Sequence, residues 1–287
     1  MIECPSVAKQ VVRQHYDLTT PFYRLFWGRH IHHGLWDAGE SPAEAQQRLT
    51  ETLAREAGLQ GGESVLDVGC GMGGSSIHLA RTLGCQVTGI TISSLQRRWA
   101  QIAARWHRVA GRTEFRCVDA EQAEFPQSVF DVIWSIECTE HLYDKAGFFR
   151  RAAPWLRPGG RVAICAWLAG DPLEHAEQVR QVQQVCEGFF CPSLGTSGDY
   201  RQWLTAAGLQ LDGVYDWTSR VERTWEICRR RVRRSGARWL AGVIDRNTAL
   251  FLDRFETILE AYRSGAMRYG CFIAHRPPQA AGTAESQ

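Results

Sequence analysis

Two stretches carry residue types whose spacing can do chemistry. In "SVLDVGCGMGGSSIHLA", Ser64 to Ala80, the residues Gly69, Gly71 and Gly74 spell G-x-G-x-x-G between a short apolar run and an amphipathic one. Glycines at that spacing let a backbone approach a ligand closely, and the N–H groups that open the following helix suit a polar or anionic group. In "SIECTEHLY", the residues Glu137, Glu140 and His141 crowd behind a second apolar run. Neighbouring carboxylates are expected to raise each other's pKa and to add basicity to the histidine, which suits proton abstraction near neutral pH.

The elements that must position these groups alternate. From Ser64 onward, short apolar runs ("SVLDVG", "CQVTGITI", "TEFRCVDA", "VFDVIWSIE", "RVAICAWL") alternate with amphipathic segments. That rhythm predicts a parallel sheet covered by helices on both faces, with its ligand crevice at the strands' C-terminal ends. "RPGG", Arg157 to Gly160, is expected to close a helix and turn into the fifth strand. Upstream, "SPAEAQQRLTETLAREAGL" reads as a helix with Ser41 as N-cap, Pro42 at its first position and Glu44 completing a capping box. Beyond Leu168, helices are expected over 172–190 and 199–207 and a strand in "LQLDGVYDWTS". Two long helices from Val221 to Tyr262 and a last strand in "MRYGCFIAHRP" follow. The resulting insertion of roughly forty residues exceeds an ordinary connection and reads as a cover. The expected organisation is a helical cap over 1–63, a nucleotide-binding core over 64–168, the C-terminal half of the sheet over 169–276 with a helical lid at about 219–265, and a disordered tail over 277–287.

The 287 residues carry a formal net charge of +2, so no global field favours nucleic acid. Ten cysteines lack zinc-like or redox spacing and several fall inside apparent strands, as reduced thiols of a cytoplasmic protein would. No apolar run has signal-peptide or membrane-span character, and the expectation is a soluble chain without stable membrane insertion, with a homodimer possible. A metal reading of His30, His32 and His33 is rejected, because no clustered carboxylate or cysteine completes a site. Val221, Trp225, Cys228 and Val232 form an apolar stripe that leaves Arg229, Arg230, Arg233 and Arg234 on a solvated basic face. The sharper alternative for these arginines is a grip on a diphosphate, a carboxylate or an anionic membrane surface.

The glycine turn alone suits two cofactors. A nicotinamide dinucleotide needs an acid about twenty residues on, at the end of the second strand, where this chain reads "VTGITIS". Asp119 follows the third strand instead, and Asp67, two residues before the first glycine, suits a cationic amino group better than pyrophosphate. The ordered set "VLDVGCGMGG", "VTGITISSLQ", "CVDAE" and "LRPGGRVAI" resembles the class I S-adenosylmethionine-dependent methyltransferases. The resemblance implies an α/β fold: a Rossmann-like, seven-stranded, mostly parallel sheet with helices on both faces, an N-terminal helical cap and a helical insertion before the last strand.

The flanks narrow the resemblance. "HYDLTTPFYRLFWG" is similar to the opening of cyclopropane fatty acid synthases and sterol methyltransferases. "WGRHIHHGLW", "SIECTEHLYDKAGFFRRAAPWLRPGG" and "GFFCPSLGTSGDYRQWLTAAGLQLDGVYDWTSRV" resemble the tocopherol methyltransferases and plant alkaloid N-methyltransferases. The run "RTWEICRRRVRRSGARW" has no counterpart there, no plastid transit peptide precedes Tyr16, and Leu35 stands where cyclopropane-forming enzymes carry a cysteine.

The resemblance implies that Asp67, Gly69 and Gly71 hold the methionine part of the cofactor, Thr91 and Gln96 its ribose, and Asp119 and Ala120 its adenine, with His33 and Gly34 adding contacts. It implies a hydrophobic small-molecule acceptor, aromatic or isoprenoid, with C-methylation favoured and N or O open. Tyr16, Tyr23, Trp36 and Trp225 are expected to wall the acceptor, with Trp27 nearby. His141, Glu140 and Glu137 are expected to do the proton chemistry. Alternatives are a prenyl diphosphate or sterol C-methyltransferase, a cyclopropane-forming lipid enzyme, or a non-catalytic S-adenosylmethionine-binding protein.

Overall fold

The computed structural model describes residues 1–5, 7, 9, 31–235 and 246–278. A short β1 (Ile2–Glu3) leads in, and α1 (Pro42–Glu56) is the first helix described in full. Its start is fixed locally. The Ser41 side chain caps the Glu44 N–H, the Glu44 carboxylate answers the Ser41 backbone, and Pro42 occupies the first turn.

The central sheet comprises β2 (Ser64–Val68), β3 (Gln86–Thr91), β4 (Thr113–Cys117), β5 (Phe130–Ile136), β6 (Leu156–Ala169), β8 (Gln210–Asp216) and β9 (Met267–His275). Its order is β4-β3-β2-β5-β6-β9-β8, parallel from β4 to β6, with β9 antiparallel to both β6 and β8. β7 (Ser193–Leu194) pairs antiparallel with β1 in a separate two-stranded ribbon that the sequence pattern did not signal. Helices α2 (Gly74–Thr82), α3 (Ser94–Trp106), α4 (Lys145–Ala152), α5 (Ala176–Phe189) and α6 (Ser197–Ala206) connect the strands.

Alternation along each strand divides the core into two layers. Val65, Val132, Trp134 and Cys165 pack with Leu49 and Leu53 of α1, Leu79 of α2 and Val182 of α5. Leu66, Ile133, Ile164 and Phe272 pack with Phe148 of α4 and with Tyr200 and Leu204 of α6. Both faces of the sheet are therefore apolar, as the near-continuous hydrophobic strands require.

"RPGG" departs from expectation. α4 ends at Ala152, a 3₁₀ turn takes Ala153–Trp155, and Arg157–Gly160 already belongs to β6, beside a register shift against β5 between Phe130 and Val132. Pro154 sits in that 3₁₀ turn, where a missing N–H costs no helical hydrogen bond. Between β8 and β9 run α7 (Thr218–Val221), α8 (Arg223–Ser235) and α9 (Arg246–Arg263), the helical insertion before the last strand. The expected tail lies outside the described residues from position 279 on. No helix among the described residues is long and apolar enough to cross a membrane.

Candidate active site

β2 and β5 run parallel, but the order in which strands are added to the sheet reverses between them, so the loops leaving those two strands open a crevice. Asp67, Gly69, Gly71, Thr91, Gln96, Asp119 and Ala120 all line one cleft there, with Glu137 and His141 on its other wall. Residues spread over 75 positions of sequence thus meet at the strand ends.

Each group has a local reason for its place. Gly69 adopts φ +77°, and a Cβ there would collide with the Cβ and Sγ of Cys138, so only glycine lets the two walls come this close. Asp67 is buried at the end of β2 and accepts a hydrogen bond from Ser76 Oγ at 2.5 Å. Burial raises its pKa to about 6, while the Ser76 hydrogen bond opposes the rise. A cationic ligand group beside it would repay that desolvation. Thr91 donates to Gln96 Oε1 at 3.0 Å, and the Gln96 backbone N–H is capped by Ser93 Oγ at 3.1 Å. The Gln96 amide is therefore oriented by its oxygen, and its NH₂ group is the donor available to a diol. Asp119 pairs with Lys9 Nζ at 2.6 Å, and Lys9 also reaches Glu121 and lines the cleft. Nothing in "SVAKQ" marks Lys9 as a site residue, because its partners lie 110 and 112 positions away in the sequence.

A buried carboxylate at the methionine end, a glycine turn that a side chain would fill, an oriented amide and an acid at the far end together fit S-adenosylmethionine.

The second wall separates residues expected to act together. Glu137 has φ +53°, an uncommon conformation for a non-glycine residue, and stands in the cleft wall just past the end of β5. Its Oε1 accepts from the His33 backbone N–H at 2.8 Å, His33 Nδ1 at 2.9 Å and the Tyr269 hydroxyl at 2.7 Å. Burial alone would raise its pKa, but the His33 ring and the surrounding donors outweigh burial and hold it at about 2. Glu140 turns the other way. It is 1% exposed, is absent from the cleft lining, accepts from the Trp167 backbone N–H, and has no partner for Oε2 among the described residues. Burial raises it to about 8, so it is a neutral acid at pH 7.

The expected pairing of two mutually perturbed carboxylates beside a basic histidine is corrected in part: the charge of Glu137 adds to the rise of Glu140, but Glu137 is itself held low and the histidine is not basic. Glu140 supplies no charge to His141, and burial lowers the imidazole to about 4. His141 Nδ1 lies 3.2 Å from the Phe190 carbonyl, which can only accept, so Nδ1 carries the proton and Nε2 the lone pair.

Four other residues expected at the site stand behind the cleft wall. His33, Gly34, Trp36 and Trp225 do not line the cleft. An indole N–H can only donate, and Trp225 Nε1 donates to His33 Nε2, so the His33 ring is a relay between Trp225 and Glu137. Gly34 N–H and Trp36 Nε1 both donate to Thr224 Oγ1, at 3.0 and 2.9 Å. Trp225 itself packs edge-on to Trp167, Phe189 and Phe255. These aromatics join the 31–38 segment to the insertion by core packing. Tyr16, Tyr23, Trp27 and His30 lie outside the described residues. His32 Nδ1 donates to the His33 carbonyl at 2.7 Å, and burial lowers its pKa. Arg229 and Arg233 pair with Glu256 of α9, and Arg263 with Glu226, so part of the expected basic face of α8 is engaged within the insertion.

The sequence matches the mycolic acid cyclopropane synthetase family over residues 5–263. It is 29% identical over 293 residues to the chloroplastic tocopherol O-methyltransferase of Arabidopsis thaliana, spanning 93% of this chain and 82% of that protein. It is 33% identical over 212 residues to the 27-O-demethylrifamycin SV methyltransferase of Amycolatopsis mediterranei, spanning 73% and 77%. Among solved structures, that of the [4+2]-cyclase SpnF covers 96% of this chain and 98% of its own with a TM-score of 0.82 and 26% identity. The chain belongs to the mycolic acid cyclopropane synthetase family and is an S-adenosylmethionine-dependent methyltransferase.

Proposed function

We propose that the acceptor is a small hydrophobic natural product carrying an ionisable aromatic hydroxyl, methylated on oxygen or on a ring carbon. The observation that supports this reading most is His141, a neutral imidazole on the cleft wall whose Nδ1–H is committed to the Phe190 carbonyl. Its Nε2 stays unprotonated across the whole neutral range and so is open to a substrate proton in the transition state. With a pKa near 4 it is a weak base, matched to an acidic proton such as a phenol's rather than to an alcohol's. Two relatives are named for small-molecule acceptors, tocopherol and 27-O-demethylrifamycin SV, in keeping with a small natural product methylated on oxygen.

S-adenosylmethionine supplies an electrophilic methyl on a cationic sulfur. Asp67 holds the cofactor's ammonium group, Thr91 and Gln96 its ribose, and Asp119 and Ala120 its adenine edge, with Gly69 and Gly71 permitting close approach. Glu137, fixed as an anion by His33 and Tyr269, stabilises positive charge near the reacting centre. The 31–38 segment and the insertion act as one cover, for they are tied by Trp36 to Thr224, Asp37 to Arg220 and the Ala38 carbonyl to Arg223. Such a cover excludes water from the methyl donor. The site of action on this reading is cytoplasmic.

Turnover of methyl-labelled S-adenosylmethionine against phenols, indole alkaloids, prenyl diphosphates and sterols tests the assignment, with mass spectrometry locating the label. Label in a phenol or its ring is the expected result. Label confined to prenyl diphosphates or sterols, or a cyclopropane product, overturns it.

A further inference from the structure

The solvent face of α3 carries side chains that methyl transfer does not use. Its core side is Gln96, Ala100 and Ala104, all buried. The opposite side carries Leu95, Trp99, Ile102 and Trp106, spaced i, i+4, i+7 and i+11, which places them in one stripe along the helix. Leu95 is half-buried, but Trp99 is 38% exposed, Ile102 60% and Trp106 82%. The other large exposed apolar side chains among the described residues, Met1, Tyr143 and Tyr215, are scattered singly. Single exposed hydrophobics need no explanation, whereas a row of three marks a contact surface.

Charge around the row has one sign. From residue 68 to residue 113 the chain holds six arginines and neither aspartate nor glutamate. Arg98 and Arg105 are exposed on α3 beside the stripe, and Arg108 is exposed just past its end. The next acid in the chain, Glu114 on β4, is held by Arg116 at 2.8 Å. No ion pair engages Arg98, Arg105 or Arg108 among the described residues.

We infer that this face of α3 docks the enzyme onto the surface of a bilayer containing anionic lipid. Tryptophan prefers the headgroup boundary, where its ring is apolar and its N–H is wet, and a basic amphipathic helix lies in that plane with its apolar row inserted. Arginines beside the row meet lipid phosphates, an attraction that added salt weakens. A second copy of this chain fits less well, since a two-fold contact through the stripe sets arginine against arginine. The inference does not rest on the identity of the acceptor, and Trp99, Ile102 and Trp106 are not lining residues of the cleft.

The test is co-sedimentation of the full chain with vesicles of phosphatidylcholine alone or of phosphatidylcholine and phosphatidylglycerol in equal parts. Binding is expected only to the mixed vesicles, falling as salt is raised. I102S/W106S and R98Q/R105Q/R108Q are each expected to weaken it by about tenfold or more. Both variants change exposed side chains only, so their circular dichroism and their turnover of a soluble acceptor stay at the wild-type level. Absence of binding to mixed vesicles, or binding that both variants retain, overturns the inference. A concentration-dependent dimer without lipid that I102S/W106S abolishes also overturns it, and assigns the stripe to a second copy.

Discussion

Glu137 and Glu140 stand three residues apart on the same loop and end in opposite states. Glu137 faces the cleft, gathers donors from His33 and Tyr269, and is held near pKa 2. Glu140 faces the core, has one backbone donor and an orphaned oxygen, and is raised to about 8. Residue type and spacing are the same for both. The number of donors that the fold brings to each decides which is an anion, and so which can act on positive charge in the cleft.

The largest expected effect separates both acids from the base between cleft and core. His141→Ala is expected to lower kcat by about 10²–10⁴-fold with S-adenosylmethionine affinity near wild type, as loss of a general base does. In the wild type at saturating cofactor, kcat is expected to stay level from pH 8 to pH 6, because burial keeps the imidazole neutral over that range. Near-full activity of His141→Ala across this range would leave Glu137 as the sole acting residue of the wall.

Stability against pH sharpens the contrast, because the two carboxyls pull in opposite directions. Glu140 binds its proton more tightly when folded than at its ordinary pKa of 4.5, so its contribution is intact below pH 4.5 and is lost as pH rises toward 8. Glu137 is depressed, so its contribution is present above pH 4.5 and is lost as pH falls toward 2. Between pH 5 and pH 8.5, wild type is expected to lose on the order of 2–4 kcal/mol that Glu140→Gln retains, read from urea midpoints. Glu137→Gln should flatten only the acid limb. If Glu140→Gln keeps the alkaline loss, Glu140 is not the neutral acid described.

Turnover draws the same line more finely. Glu137→Gln removes an anion that three donors serve and is expected to lower kcat/KM by about 10–100-fold. Glu140→Gln replaces a neutral acid with an amide of the same shape, and its kcat/KM at pH 7 is expected to stay within about threefold of wild type. Equal losses in both variants would erase the distinction between the walls.

Much of this arrangement was legible in the sequence. A glycine turn after an apolar run and acids at two strand ends marked residues that line one cleft, and Ser41, Pro42 and Glu44 fix their helix locally. The division of labour between Glu137 and Glu140 was not legible. Tyr269 and His33 reach Glu137 from 132 and 104 positions away, and whether a loop residue faces in or out depends on such partners. The two arginine-rich helices show the same limit. On α8 the arginines expected on a solvated face are partly engaged, Arg229 and Arg233 by Glu256 of α9. α3 looked ordinary, because the exposure of Trp106 follows from which face of the helix the sheet covers.

The smallest expected effect returns to Asp67, a third buried carboxyl that lies between the two extremes. Like Glu140 it is raised by burial, but only to about 6, since Ser76 donates to it. Like Glu137 it faces the cleft, where a cationic ligand favours its ionised form. At pH 7 it is an anion ready for an ammonium group. Below pH 6 the free enzyme is protonated there, and binding must first expel the proton. The dissociation constant for S-adenosylmethionine is therefore expected to be level from pH 8 to pH 7 and to rise about tenfold by pH 5, with proton release seen calorimetrically. Asp67→Asn should bind more weakly at pH 7 and lose this pH dependence. An affinity that stays level down to pH 5 would mean that Asp67 does not pair with the cofactor's ammonium group, and the methionine end would then rest on the glycine turn alone.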